Sequence, residues 1–145
     1  MTPPPRPAHG EARRSARLEQ RVLSLADFEA AARRRLPRSI FGYVQGGVED
    51  NLTREANREA FVRRRLMPGT MKDVSGRSTA IELFGRTHGV PFGIAPMGGA
   101  ALAWRGGDLA LAAAADAFGA PFILTASSTV RLEEVARVAP GAWFE

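Results

Sequence analysis

Two short apolar runs, separated by one segment of helix length, form the most informative pattern in the sequence. The runs are PFGIAPMGG at residues 91–99 and PFILTASS at residues 121–128, and each begins with a proline and ends in small or polar residues. Strands joined by a connection of a dozen or more residues run parallel, so the carboxyl ends of these two are expected to open on one side. Ligands bind at that side of parallel α/β sheets and barrels.

The spacing of apolar residues and of chain-breaking residues predicts the remaining elements. Helices are predicted from Ser24 to about residue 36, over 38–45 and over 53–65, and the first has capping-box spacing between Ser24 and Asp27. Residues 70–89 read as an extended connector with a strand at 80–84 and a turn at 85–89. Beyond it the pattern predicts strands at 91–96 and 121–125 around a helix at 108–118, a helix capped by Thr129, and a strand that begins at Trp143.

Composition narrows the classes of protein to which the chain can belong. Its 145 residues fit one domain, and the absence of cysteine excludes disulfides and cysteine-type metal sites. No apolar run approaches the length of a membrane span, and the N-terminus lacks the apolar region of a secretory signal, so a cytoplasmic location is expected. Residues 1–22 are predicted to be a disordered tail, and residues 23–145 the folded part.

Charge is unevenly distributed along the sequence. The formal net charge is +5 at pH 7, and the excess of arginine lies in the first half of the chain. A basic half is typical of nucleic-acid or acidic-membrane partners, but a solvated helix surface has the same composition. Because residues 69–145 lack aromatic residues interleaved with basic ones, we expect no nucleic-acid partner.

Few residues indicate a catalytic or metal-binding role by their spacing in the sequence alone. His9 and His88 have no ligating residue at metal-binding spacing, so both are expected to be ordinary surface histidines and no metal site is predicted. Tyr43, the single tyrosine, reads as a half-buried packing residue, and Asp108 reads as a helix-start residue.

Six segments, in this order, resemble the N-terminal part of the FMN-dependent 2-hydroxy acid dehydrogenases and oxidases. They are DFEAAARRRLPRSIFGYVQGGVEDN, NREAF, LMPGTMKDVS, IAPMGG, AWRGGDLALA and LTASSTVRLEEVA, between residues 27 and 136. The resemblance implies an α/β fold. It would be the N-terminal part of a (β/α)8 TIM barrel, preceded by a small helical segment and cut after the start of the third barrel strand.

The resemblance also implies roles for individual residues around FMN at the strand ends. Tyr43 matches a tyrosine whose hydroxyl helps to hold the substrate carboxylate. Pro96, Met97 and Gly98 match a segment whose backbone lies beside the N5 edge of the flavin. Thr125 matches a serine or threonine that contacts the flavin ring.

Two positions depart from the family pattern. Met97 replaces a usual threonine, which places a longer side chain near N5. Glu145, also expected to bind the cofactor, falls where the family has a glutamine that bonds the pyrimidine side of the ring. An ionised carboxylate cannot donate to a ring carbonyl, and it opposes the negative charge of a reduced flavin.

The reaction implied by the resemblance is FMN-dependent oxidation of a small 2-hydroxy acid to a 2-oxo acid by hydride transfer to flavin N5. The family's catalytic histidine and phosphate-binding loops match nothing in this chain, so no catalytic residue is assigned and the 145 residues alone are expected to be inactive. The alternative is a non-catalytic fragment or split half that binds a complementary C-terminal half-barrel. An intact enzyme would pass electrons to an unidentified acceptor, would form a homo-oligomer and could associate peripherally with a membrane.

Overall fold

Three helices occupy the first part of the described chain. The computed structural model describes residues 22–145, so the tail expected at 1–22 lies outside the described residues except for Val22. Helix α1 spans Leu25–Arg35, α2 spans Arg38–Gln45 and α3 spans Leu52–Val62. The bounds predicted for α2 are confirmed, whereas α3 ends three residues before the predicted position.

The carboxylate of Asp27 organises the start of α1. Its Oδ2 atom accepts hydrogen bonds from the backbone N–H groups of Ser24 at 2.8 Å and Leu23 at 2.9 Å. These donors, that of Ser24 first, hold the pKa of Asp27 below its ordinary value, because they stabilise the ionised form. Of the two hydrogen bonds of the predicted capping box, the one from the Ser24 N–H to the Asp27 carboxylate is therefore present.

An antiparallel hairpin follows the extended connector. Strand β1 (Ile81–Leu83) pairs with β2 (Arg86–His88), and Ile81 lies opposite His88. The two linking residues, Phe84 and Gly85, both have positive φ, 51° and 69°, as a tight hairpin turn requires. The turn predicted over 85–89 is wrong in its bounds, because three of those residues form β2.

The second half of the chain contains the parallel strands. Its elements are α4 (Ala100–Ala103), α5 (Gly107–Ala117), β3 (Ile123–Leu124), α6 (Leu132–Val138) and β4 (Trp143–Phe144). Strands β3 and β4 are parallel, with Ile123 opposite Trp143. Helix α6 begins at Leu132, so Thr129 does not cap it, while β4 begins where the sequence predicted.

The strand predicted at 91–96 is present only as one parallel bridge. Ile94 lies opposite Phe122, its N–H donates to the oxygen of Pro121 at 2.9 Å, and its oxygen accepts from Ile123 at 3.1 Å. Proline has no N–H to donate, so Pro96 and Pro121 keep this ladder short. The parallel direction is nevertheless as predicted.

One small core packs α5 and α6 against β3. Its buried members are Ala112, Ala115, Phe122, Leu124, Val135 and Ala139. Because side chains alternate along a strand, Ile123 and Thr125 belong to the opposite face of β3. Many large apolar side chains outside the core are exposed, among them Leu66 at 97% and Met71 at 100%. Within residues 22–145 the strands form two small sheets and no closed barrel.

Over the part of the chain that the structure describes, no helix combines the length and the apolar character that crossing a membrane would require.

Candidate functional site

A cavity of about 640 Å³ lies between α2 and the turn that follows Ile94. We call it the Tyr43 cavity. Its wall is formed by Tyr43, Val44, residues 97–100, Ala103, Trp104, Gly107, Ala110 and Leu111. Among the described residues of this wall, the polar groups are the tyrosine hydroxyl, the indole N–H and the backbone. The wall therefore favours a flat or apolar ligand that backbone amides can approach.

Tyr43 reaches across this cavity from α2 to the strand end. A methyl group placed on Gly98 would lie 3.9 Å from the Tyr43 hydroxyl oxygen and 3.7 Å from Cβ of Ser127. A methyl group on Gly99 would lie 3.6 Å from Cε1 of the same tyrosine. Three separate stretches of the chain therefore meet at Gly98. The side chain of Tyr43 is mostly exposed, so it is not the half-buried packing residue that spacing alone predicted.

The segment 96–98 is split between the cavity and its surroundings. Met97 and Gly98 line the cavity, and the Met97 side chain is partly exposed at 44%. Pro96 is half-buried and precedes them without belonging to the wall. The structure thus brings Met97, Gly98 and Tyr43 into one cavity.

Thr125 and Glu145 lie at the ends of neighbouring parallel strands rather than in the cavity wall. Thr125 is buried, and its Oγ1 accepts the N–H of Ser127 at 3.2 Å. The N–H of Glu145 donates to the oxygen of Leu124 at 3.0 Å, which continues the β3–β4 ladder. The Glu145 residue is exposed.

Ser127 belongs to the run that the sequence predicts at the ligand side, but the sequence assigns it no role. Its Cβ lies 3.7 Å from the position that a methyl group on Gly98 would take. Its N–H donates a hydrogen bond to the hydroxyl oxygen of Thr125. The available signal was its position two residues after Thr125, in a small polar run that leaves a strand end on the ligand side.

His88 is buried and lines a different cavity, together with residues 119–122 and 139–142, which precede or begin β3 and β4. Its ring packs edge-on against Trp143, with centroids 5.9 Å apart, and its Nε2 has no hydrogen-bond partner among residues 22–145. The expectation of a surface histidine is therefore wrong for His88, because the hairpin folds it under the strands. His9 lies outside the described residues.

The described residues contain no group of three or more histidine, aspartate or glutamate side chains that could hold a metal ion. Among residues 22–145, no lysine or arginine lines the Tyr43 cavity. The described part of the wall thus suits a planar or apolar group better than the phosphate of a nucleotide.

A family model described as FMN-dependent dehydrogenase matches residues 32–145 of the chain. Among similar proteins, (S)-mandelate dehydrogenase of Pseudomonas putida is 36% identical over 129 residues, which are 88% of this chain and 33% of that protein. L-lactate oxidase of Lysinibacillus sphaericus is 37% identical over 125 residues, 85% of this chain and 32% of that protein.

Solved structures give the same likeness in three dimensions. A crystal structure of mandelate oxidase has a TM-score of 0.78 and 38% identity, covering 85% of this chain and 36% of the other. A soluble mutant of the membrane-associated (S)-mandelate dehydrogenase from Pseudomonas putida has a TM-score of 0.77 and 37% identity, with coverage of 85% and 36%. This chain spans about a third of the length of these proteins.

Proposed function

This chain belongs to the FMN-dependent dehydrogenase family, and from that premise we propose that it supplies one wall of a flavin site for the oxidation of small 2-hydroxy acids. FMN is the cofactor that defines the family. The observation that carries the proposal is the meeting of Tyr43, Gly98 and Ser127 at the ligand side of the strands. The chain's similarity to a mandelate dehydrogenase and a lactate oxidase supports the substrate class.

The wall fits the ring of FMN and not its phosphate. Gly98 is exposed, and no side chain hides its backbone from a flat ring. In the part of the chain that the structure describes, no cation lines the cavity to neutralise a phosphate. We therefore assign ring contacts to Met97 and Gly98 in the wall and, from the family resemblance, to Pro96 and Thr125 beside it. The phosphate site is expected to be supplied by residues other than those of this wall.

FMN, when bound, supplies a hydride acceptor at N5. The Tyr43 hydroxyl would donate a hydrogen bond to the substrate carboxylate and so fix the orientation of the acid. The Thr125 hydroxyl oxygen accepts the Ser127 N–H, which leaves its O–H available to donate, and Thr125 would be one of the residues that hold the ring. The proton of the substrate hydroxyl passes to a base that this wall does not contain.

Gly98 favours substrates with bulky substituents at C2. A methyl group here would come within van der Waals distance of both Tyr43 and Ser127, so glycine leaves the space between them open. An aromatic substituent would lie against the apolar part of the cavity wall, which includes Trp104 and Leu111. We therefore propose an aromatic 2-hydroxy acid in preference to a short aliphatic one.

A chimera tests this function. The 145-residue chain is joined to the remaining two thirds of Pseudomonas putida (S)-mandelate dehydrogenase, and anaerobic addition of (S)-mandelate is followed by loss of the oxidised-flavin absorption. Bleaching is expected for the chimera, and no bleaching for the 145-residue chain mixed with free FMN. A folded chimera that binds FMN and is not bleached by any 2-hydroxy acid would contradict the proposal, as would turnover by the chain alone.

The exposed apolar residues favour a second, non-enzymatic proposal. Leu66, Met71 and Phe61 are 97%, 100% and 83% exposed, and this much uncovered apolar surface is typical of an interface. The chain would then bind a separate polypeptide that supplies the rest of a family barrel. Co-elution with the remaining two thirds of the Pseudomonas putida protein is expected, and separate elution at micromolar concentrations would exclude it.

A further inference from the structure

Asp108 makes an unusual interaction for a residue at the start of a helix. It is the second residue of α5 and is 4% exposed. Its Oδ2 accepts a hydrogen bond from the hydroxyl of Ser128 at 2.9 Å, across 20 residues of sequence. An acidic residue in the first turn is favourable to the helix dipole, but this bond joins the helix to another loop.

The bond fixes the direction of a short chain of hydrogen bonds. An ionised carboxylate only accepts, so the Ser128 hydroxyl must donate to Asp108. Its oxygen is then the acceptor for the N–H of Val130, at 3.1 Å. The N–H of Ser128 donates to the oxygen of Thr125 at 3.0 Å, which closes the turn after β3.

This turn carries the site residues of the second strand end. Thr125 begins it, and Ser127 lies in its middle with its Cβ directed at Gly98. The start of α5 is itself held against α4, because a methyl group on Gly107 would lie 3.1 Å from the oxygen of Ala100. The Asp108–Ser128 bond therefore connects the start of α5, which packs against Ala100, to the turn that carries Thr125 and Ser127.

We propose that Asp108 is a positioning residue, which acts through the Ser128 hydroxyl to hold Thr125 and Ser127 in register with Gly98. The expected effect of Asp108 on FMN binding rests on the proposed function, whereas its expected effect on the position of the turn after β3 does not. Burial makes the interaction strong, since a buried carboxylate left without a donor is costly. The interaction also requires a hydrogen-bond acceptor at position 108.

The first test uses amide hydrogen exchange and two-dimensional NMR on the 145-residue chain. Asp108→Ala and Ser128→Ala are expected to accelerate exchange at the Val130 amide by roughly tenfold or more and to shift the Ser127 resonance, as expected for loss of a charge-assisted hydrogen bond. Asp108→Asn keeps a hydrogen-bond acceptor at this position, so exchange at the Val130 amide and the Ser127 resonance are expected to be as in the wild type. Asp116→Ala, on the same helix and exposed, is the matched control.

Ser128→Ala removes a single hydroxyl, so it serves as the second variant if Asp108→Ala does not fold. It also removes the acceptor of the Val130 N–H, so in this variant the resonance of Gly98, which is remote in sequence, reports on the position of the turn and is expected to shift. An unshifted Gly98 resonance in Ser128→Ala, or Asp108→Asn behaving like Asp108→Ala, would overturn the positioning role. In the chimera, Ser128→Ala is expected to weaken FMN binding by about tenfold while Asp116→Ala does not. If the parent chimera does not bind FMN, that result counts against the proposed function alone. If the chimera binds FMN with the same affinity with and without Ser128→Ala, the turn after β3 does not influence cofactor binding.

Discussion

The hydroxyl oxygen of Tyr43 lies 3.9 Å from the position that a methyl group on Gly98 would take. These residues are far apart in sequence and belong to different parts of the fold, a helix of the first half and a strand end of the second. Their proximity makes the N-terminal helices part of the candidate site rather than a separate appendage. It also places the Tyr43 hydroxyl beside the small residues Gly98 and Gly99.

Neighbouring glycines at this wall are expected to respond differently to alanine. Gly98→Ala is expected to change the free energy of unfolding by less than about 0.5 kcal/mol, because its methyl group meets only ordinary contacts. Gly99 has φ of 72°, and its methyl group would lie 3.1 Å from Cδ1 of Leu102, so Gly99→Ala is expected to cost about 1–2 kcal/mol. Urea unfolding of both variants measures the difference, and equal stabilities would show that the backbone of this turn is not as described.

Glu145 is expected to lower the reduction potential of a flavin beside it. Replacing its carboxylate by an amide removes a negative charge, so Glu145→Gln in the chimera is expected to raise the two-electron potential by on the order of tens of millivolts. Glu133→Gln, an exposed carboxylate in the first turn of α6, is the control. A potential that is equal in both variants would place Glu145 away from the ring.

The small core around β3 is expected to determine the stability of the second half. Leu124 is 1% exposed, so Leu124→Ala is expected to cost about 2–5 kcal/mol by leaving a cavity. Leu66→Ala, at a residue that is 97% exposed, is expected to change stability by less than about 0.5 kcal/mol. A similar shift of the urea midpoint in both variants would contradict the assignment of the core.

Acid is expected to weaken the start of α1. The pKa of Asp27 is lowered in the folded chain by backbone N–H groups, that of Ser24 first, so its contribution is fully present above the ordinary carboxyl pKa of about 3.9. It is lost as the pH falls through the lower, folded value. The helical circular dichroism of wild type and Asp27→Asn should therefore differ at pH 7 and converge at the most acidic pH.

Asp73 offers the matched control for that titration. Its pKa is also lowered, chiefly by the backbone N–H of Ser75, but it lies in the connector between α3 and β1. Asp73→Asn is expected to leave the helical signal unchanged at every pH. A difference for Asp27→Asn that persisted unchanged down to pH 2 would exclude ionisation as its cause.

Local signals explain why some elements could be predicted residue by residue. Pro37 starts α2 because proline suits a helix entry and ends the helix before it. The parallel direction of the strands followed from connection length alone. The strand at 91–96 was predicted too long, since apolar content does not reveal that Pro96 and Pro121 withhold the donors a longer ladder needs.

Other features depend on contacts that no local pattern encodes. The positive φ of Phe84 permits the hairpin and buries His88, and an aromatic residue gives no sign of that conformation. The Asp108–Ser128 bond joins residues 20 positions apart, so at the sequence level Asp108 resembles an ordinary helix start. The family resemblance alone assigns Tyr43 and Gly98 to one site, because helical spacing favours a packing role for Tyr43, and neither predicts that the two residues are close in space.

The most direct measurement of the central claim is the substrate affinity of the chimera with Tyr43→Phe, determined by anaerobic flavin reduction at increasing (S)-mandelate. The variant is expected to bind FMN as tightly as the parent chimera, because only a hydroxyl is lost. Its dissociation constant for the acid is expected to rise by roughly tenfold, as for a lost hydrogen bond to a carboxylate. An unchanged dissociation constant, with FMN bound and reduced normally, would show that Tyr43 and Gly98 do not form a wall of the substrate site.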